Sequence, residues 1–245
     1  MHGSRASDAA LERLAATHGL DEPQREALGC YVELLLGWRR GNVTGLSDPV
    51  AVVDTLIGDS LALLAAPPLR ELERAGWLDL GAGAGVPGIP LAVARPDAEV
   101  TLLDSAAKKC AFLEEAVAVC GLAARARVVC ARSEGYASAG APGRDAFGVV
   151  LARAVAELPV LVELSAPLLA EGGVLLASKT RRALAAEGPA ANAAAARCGF
   201  VAEPPVGLPE SPLDDAVCAV FRKVAPTPEW LPRREGRAAK RPLGA

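Results

Sequence analysis

The chain has 245 residues, of which 51% are hydrophobic, enough for one large domain with a buried core and small appendages. A net charge of −3 argues against a nucleic-acid partner spread over the whole surface. Arg153, Glu157 and Glu163 interrupt the longest apolar stretch, so no run reaches the roughly 18 residues of a membrane span.

Residues 1–75 read as helices. Ser7 is the expected cap of a helix over 8–17, with Gly19 past its end. Asp21 and Gln24 have capping-box spacing, and Pro23 suits a first turn. The helix that follows carries Leu28, Tyr31, Leu35 and Trp38 on one stripe. Asp48, with Pro49 behind it, opens a third helix to about residue 65. From Gly76 onward short apolar runs alternate with helical segments. Strands are expected at 77–80, 100–104, 126–130, 149–152, 174–178, 201–205 and 216–222, and helices at 88–95, 106–120, 158–169 and 181–197. Such alternation implies a mostly parallel sheet covered on both faces. The last two strands are joined by a proline-bearing segment too short for a crossover helix, which predicts one antiparallel edge strand.

The stretch Leu78-Asp79-Leu80-Gly81-Ala82-Gly83-Ala84-Gly85-Val86-Pro87-Gly88 runs from a strand into a turn of alternating glycines. Glycine removes the Cβ that would keep a ligand off the main chain. Asp104 closes the next strand about 20 residues on, where a carboxylate can accept hydrogen bonds from a ribose; the alternative, a cap of the helix at 106–120, could coexist with that role. A nucleoside-containing cofactor follows. The pattern also fits the dinucleotide fingerprint, but Asp79 beside the turn suits a cationic amino group and would sit badly beside a pyrophosphate. S-adenosylmethionine is therefore the expected cofactor, bound by Gly81, Gly83, Gly85, Val86 and Asp104. The fold class that combines these features is the α/β class I AdoMet-dependent methyltransferase, Rossmann-like and mostly parallel with one antiparallel edge. The expected segments are a helical extension over 1–75, the methyltransferase domain over 76–224 and a basic, Pro-rich tail over 225–245.

The six cysteines form no Cys-x-x-Cys, lie among apolar neighbours such as Val129 and Ala131, and read as buried core residues of a reducing, cytoplasmic compartment. No histidine follows His18, so no metal is expected. Residues 1–8 are polar and lack a signal-peptide core, and the expected form is a monomer. From Arg222 to the end there are seven basic and two acidic residues, so the tail is +5 and the remainder −8. A basic tail on an acidic body suits a polyanion met at one face, or a solvated tail without a partner. Its prolines at 226, 228, 232 and 242 argue against a regular helix.

Further strings give the chain a resemblance to the bacterial ribosomal RNA small subunit methyltransferase G family, also called glucose-inhibited division protein B. They are Trp38 with Asn42-Val43-Thr44, Asp59-Ser60-Leu61, the glycine loop through Gly88-Ile89-Pro90-Leu91, Leu103-Asp104-Ser105 with Lys108-Lys109, Arg132-Ser133-Glu134, Arg153-Ala154-Val155-Ala156, Lys179, Pro232-Arg233-Arg234 and Ala239-Lys240-Arg241-Pro242-Leu243. The resemblance covers nearly the whole chain in order. It implies methylation of N7 of one guanine in 16S rRNA near the decoding region, on naked RNA or the small ribosomal subunit. It implies adenine recognition at Ser133 and Glu134 and places Arg153 at the methyl donor, although an arginine there also suits phosphate or a guanine edge. Arg153 and Lys179, at the ends of their strands, are the catalytic candidates, and Lys179 is also a candidate for the RNA backbone. Lys108, Lys109, Arg132, Arg233, Arg234, Lys240 and Arg241 are the candidate RNA contacts, with a solvated face as the alternative for the first two. Trp38, Asn42 and Thr44 either fix the N-terminal helices or, for Asn42, reach the substrate. The chain departs from the family at Leu56 (usually His), Gly148 (usually Asp) and Thr180 (usually Gly). Two other readings compete: an NAD-dependent oxidoreductase, for which no hydride-site acid or base is visible, and a non-catalytic RNA-binding protein, against which the intact glycine loop speaks.

Overall fold

The computed structural model describes residues 5–244, so residues 1–4 of the polar N-terminus and the last tail residue lie outside it. Two helices come first, α1 (Arg5–His18) and α2 (Glu22–Gly37). Asp21 caps α2 through the Gln24 N–H, and Gln24 returns the bond to the Asp21 N–H, both at 2.9 Å. Ser7, expected as a cap, instead lies inside α1 and is buried, because the helix starts at least two residues earlier. The third helical segment is not one regular helix. It runs as α3 (Pro49–Val52), a π-helical stretch (Val53–Gly58), α4 (Asp59–Ala62) and a 3₁₀ turn (Leu63–Ala65), followed by α5 (Pro68–Glu71). In the π stretch the Thr55 carbonyl accepts a bond from Arg153, a contact that intrahelical spacing does not reveal.

The rest alternates as expected: β1 (Trp77–Leu80), α6 (Gly88–Ala94), β2 (Val100–Asp104), α7 (Ala107–Val119), β3 (Ala126–Cys130), α8 (Ser133–Tyr136), β4 (Phe147–Arg153), α9 (Leu158–Ser165), β5 (Leu169–Thr180), α10 (Arg181–Cys198), β6 (Phe200–Gly207), β7 (Ala216–Lys223) and α11 (Arg237–Lys240). The helix expected to reach residue 169 stops at Ser165, because Leu169 already pairs with Phe147 in the sheet. The sheet order is β3-β2-β1-β4-β5-β7-β6, with only β7 antiparallel to its neighbours. This is the class I methyltransferase arrangement. Strand order reverses at β1, and the carboxyl ends of β1, β2 and β4 open onto the crevice where such sheets bind ligands.

Successive strand residues serve opposite faces. Trp77, Val149, Leu151 and Leu176 enter one core with the stripe of α2, while Leu78, Val150, Ala152 and Leu175 enter the other with α9 and α10. The tail joins this second core through Leu231 and Leu243. Cys110, Cys120, Cys198 and Cys218 are buried, but Cys30 and Cys130 are exposed. Cys130 ends the edge strand β3, where one side of the chain has no covering layer. Among the described residues no helix is long and apolar enough to cross a membrane.

Candidate functional site

The glycine loop divides into a part that packs and a part that stays open. Gly85 has φ +87°, and a Cβ there would stand 2.6 Å from Ile89 Cδ1 and 3.2 Å from Leu113 Cδ2. Its missing side chain lets the loop seat on α6 and α7. Gly83 also has a positive φ, +55°, but a Cβ there would meet nothing nearer than 3.6 Å. Its nearest neighbours would be the Gly81 carbonyl at 3.6 Å and Lys109 Nζ at 3.8 Å. Tyr31 closes the loop from behind, its hydroxyl donating to the Ala84 carbonyl. Behind the loop Asp79 is 1% exposed, and one carboxylate oxygen accepts the Gly88 N–H at 2.8 Å. The other oxygen, Oδ1, has no protein partner. Burial raises the Asp79 carboxyl to about 7, against the opposing Gly88 bond.

In front of the loop lies a cavity of about 360 Å³. It brings together Gly81 from the end of β1, Asp104 and Lys109 from the end of β2 and the start of α7, and Arg132, Ser133 and Glu134 from the turn of β3 into α8. The Asp104 carboxylate holds the place together: Oδ2 accepts the Gly83 N–H and Oδ1 the Ala106 N–H, both at 2.9 Å. Asp104 does not cap α7, whose N-cap is Ala106 and which has no side-chain cap; its bond to the Ala106 N–H braces the turn before the helix, and each carboxylate oxygen keeps a further lone pair for a ligand hydroxyl. Lys109 Nζ stands 3.8 Å from the same carboxylate. Glu134 accepts from Ser133 Oγ at 3.1 Å and from the Gly236 N–H at 2.9 Å. The second bond brings in the tail, whose Gly236, Ala238 and Ala239 form one wall of the cavity.

Other candidates stand elsewhere. Arg153 is outside the cavity wall, paired through Nε with buried Asp59 at 2.6 Å and through Nη2 with Thr55 O at 3.1 Å. Asp59 also accepts from Ser211 Oγ at 2.6 Å. Lys179 Nζ binds Ala156 O at 2.9 Å and Glu187 Oε2 at 2.8 Å. The tail cations also divide. Arg222 pairs with Glu203, Lys223 is 1% exposed on Asp145, and Arg233 grips Glu163, itself 2% exposed, with two hydrogen bonds. That pairing holds the Arg233 guanidinium above its ordinary pKa. Arg234, Arg237, Lys240 and Arg241 are exposed, and the last turn of the tail is helical because its prolines fall outside 233–241. Lys108 is exposed and lies against Gly41. Trp38 packs edge-on against Phe112 at 5.1 Å, and Asn42 is exposed. Tyr31, Glu163 and Glu187 escaped sequence reading: their signal is a polar atom inside an apolar environment, visible only after folding.

A family model described as rRNA small subunit methyltransferase G matches residues 24–203. The chain belongs to that family. Its members here include proteins named ribosomal RNA small subunit methyltransferase G from Rubrobacter xylanophilus, 38% identical over 99% of this chain and 93% of that protein, and from Roseiflexus castenholzii, 39% identical over 95% and 98%. The Deinococcus radiodurans protein is 39% identical over 95% of this chain and 91% of its own. Among solved structures, the O-methyltransferase NcsB1 bound to S-adenosylmethionine superposes with a TM-score of 0.51 at 19% identity, over 67% of this chain and 55% of that one. The mitomycin 7-O-methyltransferase MmcR gives 0.55 at 14% identity, over 73% and 56%. The chain spans just over half of these two structures, which share its fold.

As a member of the methyltransferase G family, the protein is an S-adenosylmethionine-dependent rRNA methyltransferase. Two of its departures have local explanations. Position 148 has no room for a side chain, since a Cβ on Gly148 would stand 2.3 Å from that of Ala75. Thr180 caps α10, accepting the Ala183 N–H at 3.1 Å. Leu56 lies buried in the π stretch, and nothing in the structure explains the replacement of histidine there.

Proposed function

We propose that the protein methylates N7 of a guanine of 16S rRNA near the decoding region, with S-adenosylmethionine seated in the cavity before the glycine loop. The observation that carries this reading is the Asp79 carboxylate at the N-terminus of α6, where it already takes the Gly88 N–H. That is where a dinucleotide would set its pyrophosphate, and the Asp79 side chain already takes the Gly88 N–H that the pyrophosphate would use. The residues fit the methyl donor. The cavity volume lies within the range of small-molecule sites, Gly83 leaves its space open, and Asp104 offers free lone pairs at a strand end. Gly81, Gly83, Val86 and Asp104 would hold the nucleoside, with Ser133, Glu134 and the tail around the base. Gly85 serves the packing of the loop.

When bound, S-adenosylmethionine supplies an electrophilic methyl group on a good leaving group. Guanine N7 already carries a lone pair, so the chain has no proton to remove before attack, and no histidine stands at the site. What the residues contribute is alignment and the exclusion of water. Arg153 shapes the strand end through Asp59 and Thr55. Arg132, Lys108, Lys109, Arg234, Arg237, Lys240 and Arg241 offer cations around the cavity mouth for the RNA backbone. We place the enzyme in the cytoplasm, acting as a monomer.

Calorimetric titration with S-adenosylhomocysteine and with NAD, separately, tests the cofactor half: only the first should bind. Incubation with methyl-labelled donor and 16S rRNA, as naked RNA and as assembled subunit, tests the rest. N7-methylguanine makes RNA cleavable by borohydride and aniline, so label that appears without such a cleavage site would refute the N7 assignment.

A further inference from the structure

We propose that Lys179 and Glu187 form a clamp that holds the loop between β4 and α9 in position for methyl transfer, and that both are positioning residues, with Lys179 making no RNA contact of its own. The proposal rests on the reading of the cavity as the methyl-donor site. The loop begins at Arg153, beside Ser178 of β5 in register, and turns at Ala154, which has φ +56° without being glycine. Such a turn persists only where its surroundings impose it. Val155 follows, 37% exposed, with both Cγ atoms 3.0 Å from where a Cβ on Gly81 would stand. The loop therefore lays an apolar side chain across the first glycine and onto the cavity wall, at the strand end next to the site.

Two ties fix its return. Lys179 Nζ donates to the Ala156 carbonyl at 2.9 Å, and Glu187 Oε2 accepts the Leu158 N–H at 2.7 Å. The two side chains pair with each other at 2.8 Å, and their side chains are only 13% and 19% exposed. Glu157 offers no side-chain cap to α9, so Glu187, from a different helix, supplies the acceptor that the helix start lacks. Arg153, tied to Asp59 and Thr55, anchors the other end. Two of the three ammonium donors of Lys179 are committed inside the protein, on a carboxylate and a carbonyl that hold the loop. A phosphate would have to compete with both.

The test uses the full chain, with steady-state methyl incorporation into 16S rRNA, calorimetry with S-adenosylhomocysteine and amide exchange at Leu158. Lys179→Met and Glu187→Leu should each lower kcat about 10- to 100-fold, the scale of a reacting geometry displaced by about 1 Å. KM for RNA and its salt dependence should stay within about twofold of the parent. The double variant should be little worse than either single one, because the pair acts as a unit. Leu158 exchange should quicken at least about tenfold in Glu187→Leu, whereas Glu187→Gln, which keeps an acceptor for that N–H, should recover most of the lost kcat. Should Glu187→Leu fail to fold, Glu187→Gln against Lys179→Met makes the same comparison. If Lys179→Met raises the RNA KM and flattens the salt slope by about one unit while Glu187→Leu keeps the parental kcat, Lys179 is an RNA ligand and the clamp is refuted. A parent that binds no S-adenosylhomocysteine overturns the cavity reading and the clamp's role with it, and a parent that binds normally separates the two failures.

Discussion

Deletion of residues 232–245 probes the most consequential contact of the site, the tail that forms a wall of the cavity. Whether the tail's charge meets a polyanion or is only solvated, its loss would on either reading leave cofactor affinity intact. Its placement argues otherwise. Gly236, Ala238 and Ala239 line the cavity, and Gly236 holds Glu134 in place. If the deletion uncovers about 40–60 Å² of apolar ligand surface, a coefficient of about 25 cal/mol/Å² gives a loss of about 1–1.5 kcal/mol, roughly tenfold in Kd. Stability falls too. Removing buried Leu243 costs about 1.5–3 kcal/mol. Removing Arg233 leaves Glu163 without its partner, for which the range of a broken buried pair is about 3–5 kcal/mol, reduced because the deletion lets water in. A total near 4 kcal/mol corresponds to about 8–16 °C in Tm for a chain of this size. Adding Glu163→Gln to the deletion removes the stranded charge and should restore part of that loss without restoring cofactor affinity. The assays are thermal unfolding and calorimetry with S-adenosylhomocysteine below the lower Tm. A folded truncated chain that binds S-adenosylhomocysteine with the parental Kd would refute the assignment of the tail as a wall.

Three further outcomes follow from the same geometry. Gly83→Val should fold with about 1–2 kcal/mol of backbone strain and lose cofactor binding, whereas Gly85→Val, whose Cβ would enter Ile89, should lose stability before any ligand is added; unfolding curves and calorimetry on both variants distinguish them. Asp104→Ala removes the acceptor for two loop N–H groups and for the ligand, so affinity for S-adenosylhomocysteine should drop by about 1–3 kcal/mol together with Tm, and a drop in Tm alone would leave Asp104 only its structural role. Asp79 carries a folded-state carboxyl raised to about 7, so the folded protein binds more protons than the unfolded chain between roughly pH 4 and 7. Stability of the parent relative to Asp79→Asn should therefore decline as pH rises through that window and level off above it; a difference independent of pH would show that Asp79 is already ionised there.

Most of the fold was legible because its determinants are local. The Asp21–Gln24 box, the β/α alternation and the short link between the last two strands each specify one element without reference to the rest. The glycine loop and Asp104 were legible as a unit for the same reason: turn and acid belong to adjacent strands of the sheet. What stayed hidden depends on distant partners. The spacing of residues 49–65 reads as one helix, and nothing local points to Arg153, 98 residues from Thr55, as the partner of its carbonyl. Charge counting made the tail +5, but three of its cations pair with Glu203, Asp145 and Glu163 of the body. Lys179 looked like a free cation at a strand end, and Glu187, a helix away, takes it.

The division of the tail cations bears on how substrate and cofactor communicate. Arg233 fixes the tail to the body through Glu163, and Ala238 within α11 and Leu243 beyond it are buried. Between these anchors Arg234, Arg237, Lys240 and Arg241 remain exposed on the segment whose inner side, at Gly236, Ala238 and Ala239, faces the cavity. One short stretch thus presents cations outward and, on the proposed reading of the cavity, a cofactor wall inward. RNA phosphates gripping the outer side would order the inner side, and a bound cofactor would order the outer side in turn, since coupling between two binding events is reciprocal. The same reciprocity makes the tail the place where a single change, such as Gly236→Pro, which removes the N–H that Glu134 accepts and cannot keep the φ of +70° found there, should weaken both partners' affinities and their coupling together. Measuring S-adenosylhomocysteine affinity with and without RNA in that variant gives the coupling directly: a factor equal to that of the parent would mean that the two sides of the tail act independently.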